Sequence, residues 1–162
     1  MGATDVHTLI ANRNRRFLGP LARRGLRILC SMEVPAAVRI GADLVVHHQG
    51  FGTVLHETTV LGDRVHLFQG VTIGRADVTI RKIHSTFQGV VIGDDAYICA
   101  GAKVLGGEAG QLVVGRGTVV AANAVLLQST GAWEIWGGVP ARLIGKREPF
   151  PEDQDPARLA RR

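Results

Sequence analysis

The sequence predicts an all-β fold, a left-handed parallel β-helix of hexapeptide repeats behind a short N-terminal helical segment. Three observations carry this reading. Aliphatic residues recur six apart in blocks: Ile40 and Val46; Leu55, Leu61, Leu67 and Ile73; Ile92, Ile98 and Val104; Val114, Val120 and Leu126. Gly often follows the aliphatic site, as at Gly41, Gly62, Gly74, Gly93 and Gly115. The composition, with 21 Gly, one Tyr and five Phe, suits stacked short strands better than a bulky aromatic core.

A spacing of six does not fit an amphipathic helix, which repeats at about 3.6 residues. Strand alternation alone would not place Gly after the same aliphatic site each time. A short parallel strand followed by a sharp turn does both. Three such units close one triangular coil, and coils stack with their aliphatics inward. Gly permits turn geometry that a side chain would obstruct.

The chain divides into three segments. Residues 1–30 carry Leu9, Ile10, Phe17, Leu18, Leu21, Leu26 and Ile28 among many Arg residues. They read as short helical pieces, interrupted near Gly19-Pro20, that pack on one end of the body. Residues 31–147 form the repeat body, and 148–162 form a Pro-rich, charged, loose tail.

Breaks in the register mark outward loops. Val46 to Leu55 is nine residues, so HHQGFG must bulge. Ile73 to Ile92 is nineteen, one more than a whole coil, with RADVTIRKIHSTFQG as a loop. Val104 to Val114 is ten, with GGEAGQ in the gap. Residues inserted into a solenoid go outward, where they can line a site. Trp133, Ile135 and Trp136 are placed to cap the open end of the solenoid.

Composition narrows the function classes. The net charge of +5 suits a soluble protein with a basic tail, or one that attracts an anionic ligand. No zinc-finger or aromatic-basic pattern indicates nucleic acid. Two cysteines, Cys30 and Cys99, form neither a disulfide framework nor a metal signature, which points to the reducing cytoplasm. No apolar run reaches the length of a membrane span, and the start of the chain lacks the apolar core of a signal peptide.

Histidines dominate the candidate chemistry. His47 and His48 occupy the first bulge. A neutral imidazole there can take a proton from an attacking hydroxyl or amine. Glu33, fifteen residues earlier and so about one coil below, can orient the His48 ring. The alternatives are a structural His pair and a metal site that uses His48 and His66, eighteen residues apart. Arg81 and His84 stand in the central loop. Arg81 can pair with a substrate carboxylate, and His84 can assist proton transfer, or both can belong to a solvated basic loop.

The segments EVPAAVRIGADLVVHHQG, LGDRVHLFQGVTIG, VIGDDAYICAGAKVLG, VVGRGTVVAANAVLL and GGVPARLIGK together resemble the hexapeptide-repeat acyltransferases, and within them the serine O-acetyltransferases. The similarity covers roughly residues 31–147, which it reads as an acyltransferase domain. It implies that acetyl-CoA donates an acetyl group to a hydroxyl or amine of a small amino-acid-like metabolite. It places the base at His48 and its orienting acid at Glu33, with His47 where the family carries an acid that handles the acceptor. The family's Arg-His pair is displaced: Gly89 falls where its second His stands, and Arg81 and His84 are the candidate replacements. It puts CoA along Gly138, Ala141, Arg142 and Lys146, in a groove between neighbouring solenoids. It implies a homotrimer and a small-molecule acceptor, with no metal. A γ-carbonic-anhydrase-like metalloenzyme and a catalytically silent trimeric binding or scaffold protein are the competing readings.

Overall fold

The computed structural model of the chain describes residues 5–107 and 110–150. Residues 151–162, most of the expected loose tail, lie outside the described residues, as do Glu108 and Ala109 of the third gap. Among the described residues two helices, α1 (Val6–Asn12) and α2 (Gly19–Cys30), precede fourteen strands.

The first coil is β1 (Arg39–Ile40), β2 (Val45–Val46) and β3 (Val54–Leu55). The second is β4 (Val60–Leu61), β5 (His66–Leu67) and β6 (Thr72–Arg75). The third is β7 (Gly89–Ile92), β8 (Tyr97–Ile98) and β9 (Lys103–Gly106), and the fourth is β10 (Gln111–Val114), β11 (Val119–Val120) and β12 (Val125–Leu126). Stacking the coils gives three faces: β1-β4-β7-β10; β2-β5-β8-β11-β13-β14; and β3-β6-β9-β12. Strands of successive coils pair in parallel, as a left-handed β-helix of hexapeptide repeats requires.

Each strand from β1 to β12 turns one repeat aliphatic inward. Leu61 pairs with Ile92, Leu67 with Ile98, and Ile73 with Val104. Eleven of the twelve repeat aliphatics are buried, and Ile40, at the open end, is partly buried against them. Each such side chain contributes about 1.5–3 kcal/mol on burial.

The Leu61–Ile92 pairing fixes the register across the long gap. The nineteen residues from Ile73 to Ile92 make one corner with the expected outward loop between β6 and β7. The role of the glycines differs from the expected one. Gly41, Gly62, Gly93 and Gly115 do not have positive φ. They are small because coils approach closely there: a Cβ on Gly62 would lie 2.8 Å from the Asp94 backbone nitrogen, and one on Gly93 would lie 2.8 Å from that of Arg116. The positive φ falls two residues later in the corner, on Asp43, Arg64, Asp95 and Gly117.

At the far end β13 (Glu134–Gly138) stacks on β11 and turns back through Val139–Pro140 into antiparallel β14 (Ala141–Lys146). Trp136 is buried there and covers the last coil.

At the near end α1 and α2 close the first coil. The break between them lies at residues 13–18, and Pro20 sits in the first turn of α2, where its missing N–H costs nothing. Leu9, Ile10 and Leu26 are buried, while Phe17, Leu21 and Ile28 face out. Buried Arg13 ties this cap to the body, donating to the Ile10 and Val38 carbonyls at 2.8 Å each. Among the described residues, no helix is long and apolar enough to cross a membrane.

Candidate active site

The first bulge lies at the corner between the second and third faces. His47–Gly50 forms a single 3-10 turn, interrupted by left-handed backbone at His48 (φ 50°, ψ 42°) and Gln49 (φ 55°, ψ 12°). Non-glycine residues pay for that conformation, and such positions cluster at functional sites. The corner sits on the end of α2: the Gly52 N–H donates to the Cys30 carbonyl at 3.0 Å, and Met32 packs beneath Gly50.

The two adjacent histidines have different environments. The His47 ring stacks on Phe68, with centroids 4.0 Å apart, and its Nε2 lies 3.0 Å from His66 Nδ1. One ring of that pair donates and the other accepts. Burial first, and the neighbouring His48 second, hold His47 below the ordinary imidazole value. His66 in turn stacks on Tyr97 at 4.1 Å. It is therefore His47, not His48, that meets His66 across the coils. The His48 ring is exposed and has no hydrogen-bond partner among the described residues. Among the described residues, no group of three or more His, Cys, Asp or Glu side chains is placed to hold a metal ion.

Glu33 lies on the third face, one rung below β3. Its N–H donates to the Thr53 carbonyl at 2.8 Å, and its carbonyl accepts from the Leu55 N–H at 3.0 Å. Its carboxylate accepts from Arg27 Nη2 at 2.6 Å, not from His48. The backbone thus places Glu33 next to the strand that follows the His48 corner, and the side chain turns toward α2. Arg27 has no signature of its own in the sequence, because its partner lies across a helix–solenoid junction.

Arg81 and His84 are exposed in the loop of residues 76–88, where the His84 N–H donates to the Arg81 carbonyl at 2.8 Å. The loop has an internal frame. Buried Asp77 pairs with Arg75 at 2.8 Å and accepts from Ser85, and Phe87 packs edge-on against His56. This loop leaves the corner between the third and first faces, so within one chain it starts from a different edge than His48.

Gly138, Ala141, Arg142 and Lys146 lie on β13 and β14, four and five strands from β2 on the second face. At about 4.8 Å per strand the separation is roughly 20 Å. Ala141 is buried; Arg142 and Lys146 are exposed. Arg147, just beyond, stacks over Tyr97 and Trp133 and donates to the Gly117 carbonyl at 2.7 Å.

The chain is similar to curated serine acetyltransferases. It is 34% identical to that of Mycobacterium tuberculosis over 139 residues, 86% of this chain and 56% of the relative. It is 34% identical to that of Bacillus subtilis over 128 residues, 79% of this chain and 54% of the relative. Among solved structures, serine acetyltransferase from Vibrio cholerae superposes with a TM-score of 0.72 at 26% identity, covering 93% of this chain and 55% of that one. A serine acetyltransferase in complex with CoA superposes with a TM-score of 0.66 at 26% identity, covering 86% of this chain and 54% of that one. No protein-family model matches the chain. The chain spans about half the length of the curated relatives it matches. Repeat register, parallel three-faced fold and sequence similarity agree: the chain belongs to the hexapeptide-repeat acyltransferase family, where it matches the serine acetyltransferases.

Proposed function

We propose that this protein transfers an acetyl group from acetyl-CoA to a hydroxyl or amine of a small amino-acid-like acceptor, with His48 as general base. The observation that carries the reading is the contrast between the two adjacent histidines. His47 is held in a stack, while His48 is presented on a left-handed corner with both ring nitrogens uncommitted among the described residues. A base must reach its substrate proton, and an exposed ring on this corner meets that demand.

In the proposed reaction His48 removes the proton from the acceptor as its oxygen or nitrogen attacks the thioester carbonyl carbon. The C–S bond breaks, and the protonated His48 returns the proton to the departing thiolate. Glu33 orients the imidazole after its carboxylate leaves Arg27. His47 and the loop residues Arg81 and His84 form the acceptor side. The reach of about 20 Å from the His48 corner to Gly138, Ala141, Arg142 and Lys146 suits an elongated carrier lying along the solenoid. In this reading CoA runs along that edge, with Arg142 and Lys146 toward its phosphates. The protein works as a homotrimer with sites between subunits, so that the loop of one chain can approach the His48 corner of another.

The test is a screen of acetyl-CoA turnover with amino acids, amines and hydroxylated metabolites, read by thiol release and product mass. Acceptor-dependent thiol release with a product heavier by one acetyl group is expected. Thiol release that does not depend on any acceptor contradicts the reading. Light scattering during size-exclusion chromatography checks the trimer; a monomeric mass contradicts it.

A further inference from the structure

The fold uses only part of the apolar surface of α2. Ala22, Leu26 and Cys30 are buried against the body, yet Phe17, Leu18, Leu21, Ile28 and Leu29 stay exposed on the helix and the turn before it. Phe17 is 85% exposed, Leu21 69% and Ile28 68%. Positions 21, 28 and 29 share one side of a helix, and position 17 lies one turn before 21. The stripe runs the length of α2, about 18 Å. Single exposed leucines are ordinary, but a contiguous apolar stripe marks an interaction surface. The charge around it is one-sided. Between Asp5 and Glu33 the chain carries six arginines and no acid. Buried Arg13, and Arg23, which donates to the Arg13 carbonyl at 2.6 Å, serve the fold. The others border the stripe. Arg16 lies over the Phe17 ring, 5.5 Å from its centroid. The Arg15 and Arg24 side chains have no hydrogen-bond or ion-pair partner among the described residues.

We propose that this face of α2 docks on an anionic lipid bilayer. Phe17, Leu21 and Ile28 enter the boundary between headgroups and acyl chains, and Arg15, Arg16 and Arg24 meet the headgroup phosphates. The inference is independent of the acyl-transfer reading. A basic helix with an exposed apolar face is the form that lies in the plane of a membrane surface. It does not span the bilayer, so the lack of a membrane-crossing helix among the described residues is no obstacle. Guanidiniums pair well with phosphate, and their long stems let them reach the headgroups while apolar neighbours sit deeper. Charge selects this occupant over a second copy of the chain. A two-fold contact would set each stripe's arginines against the same arginines of its partner, with no acid on α2 to pair them. An anionic bilayer supplies both the apolar interior and the opposite charge. Because α2 caps the near end of the solenoid, docking leaves the far-end strands β13 and β14 away from the lipid.

The test sediments the full chain with vesicles of mixed phosphatidylglycerol and phosphatidylcholine, and with vesicles of phosphatidylcholine alone. Binding to the mixed vesicles is expected, weaker by about tenfold or more on the neutral ones and in high salt. Leu21→Gln and Ile28→Gln should each weaken it about tenfold. Arg16→Gln and Arg24→Gln should each weaken it about fivefold. Arg142→Gln and Ile144→Gln, which remove an exposed cation and an exposed apolar group on β14, leave it unchanged. The four face residues are exposed, so their variants keep the wild-type unfolding midpoint, which separates lost docking from lost fold. Failure to bind the mixed vesicles overturns the proposal, as does equal binding to both kinds or wild-type binding by the four face variants. Light scattering supplies a further check: a lower assembly mass in Leu21→Gln or Ile28→Gln would place the stripe between copies of the chain. Release from the vesicles by soluble glycerol phosphate would assign the arginines to a free anion, and it too overturns the proposal.

Discussion

The corner between the first and second faces and the corner between the second and third make the same turn under opposite regimes. At the first, each coil locks onto the next. Asp63 Oδ1 accepts from the Ala42 N–H at 2.7 Å, and Asp94 Oδ1 accepts from the Asp63 N–H at 3.0 Å. Buried Asp95 then accepts from Arg64 at 2.6 Å and Arg116 at 2.8 Å. Burial pushes the Asp95 carboxyl up, but those hydrogen bonds outweigh it and leave it below its ordinary value. The second corner is regular at Gly70 and Gly101. In the first coil it swells by three residues, carries left-handed His48 and Gln49, and has its acid in an exposed pair with Arg27. The closed corner holds the register of the solenoid; the open one presents an exposed imidazole without serving that register.

This contrast can be broken from the closed side first. Asp95→Asn removes the buried carboxylate that Arg64 and Arg116 share. Unfolding by urea is expected to show a loss of about 3 kcal/mol, the low end for a broken buried pair because both arginines reach some water. Gly93→Ala drives a Cβ into the backbone of the next coil, at 2.8 Å from the Arg116 nitrogen and 2.9 Å from the Val114 oxygen. It is expected to cost about 2 kcal/mol. A neutral result for either would remove the clamp from the account.

The open side should respond more weakly. His47 is held below its unfolded value, so its contribution to stability is complete above the unfolded imidazole pKa of about 6.5. That contribution fades as pH falls below about 6.5 and through the lower folded value, because the unfolded chain binds the proton more readily. His47→Gln should flatten part of the acid-side decline in thermal unfolding; an unchanged slope contradicts this. The smallest effect is expected for Arg27→Gln, below about 0.5 kcal/mol, since its partner pair is exposed. A loss above about 1 kcal/mol would mean that the pair is structural, not exchangeable.

Much of this division was legible in the sequence. The six-residue spacing located every strand core from Ile40 to Leu126, because burial at a fixed register leaves no other periodicity. HHQGFG and the 76–88 loop were legible as breaks in that register. The reason for the glycines was not, since Gly93 is small to admit a neighbouring coil that only stacking brings near. The same holds for Pro20, which a local rule reads as a helix break when its place in the first turn allows it to begin one. Contacts between distant segments were the least visible. Nothing local links Arg27 to Glu33 or His47 to Phe68 until α2 and the coils are assembled.

The measurement that bears most directly on the central claim is acetyl-CoA turnover by His48→Ala with an acceptor that the wild-type protein acetylates. With His48 as the base, kcat is expected to fall about 100- to 10,000-fold, with KM for acetyl-CoA and the unfolding midpoint little changed. A variant that keeps wild-type kcat would contradict the assignment of His48 as the base.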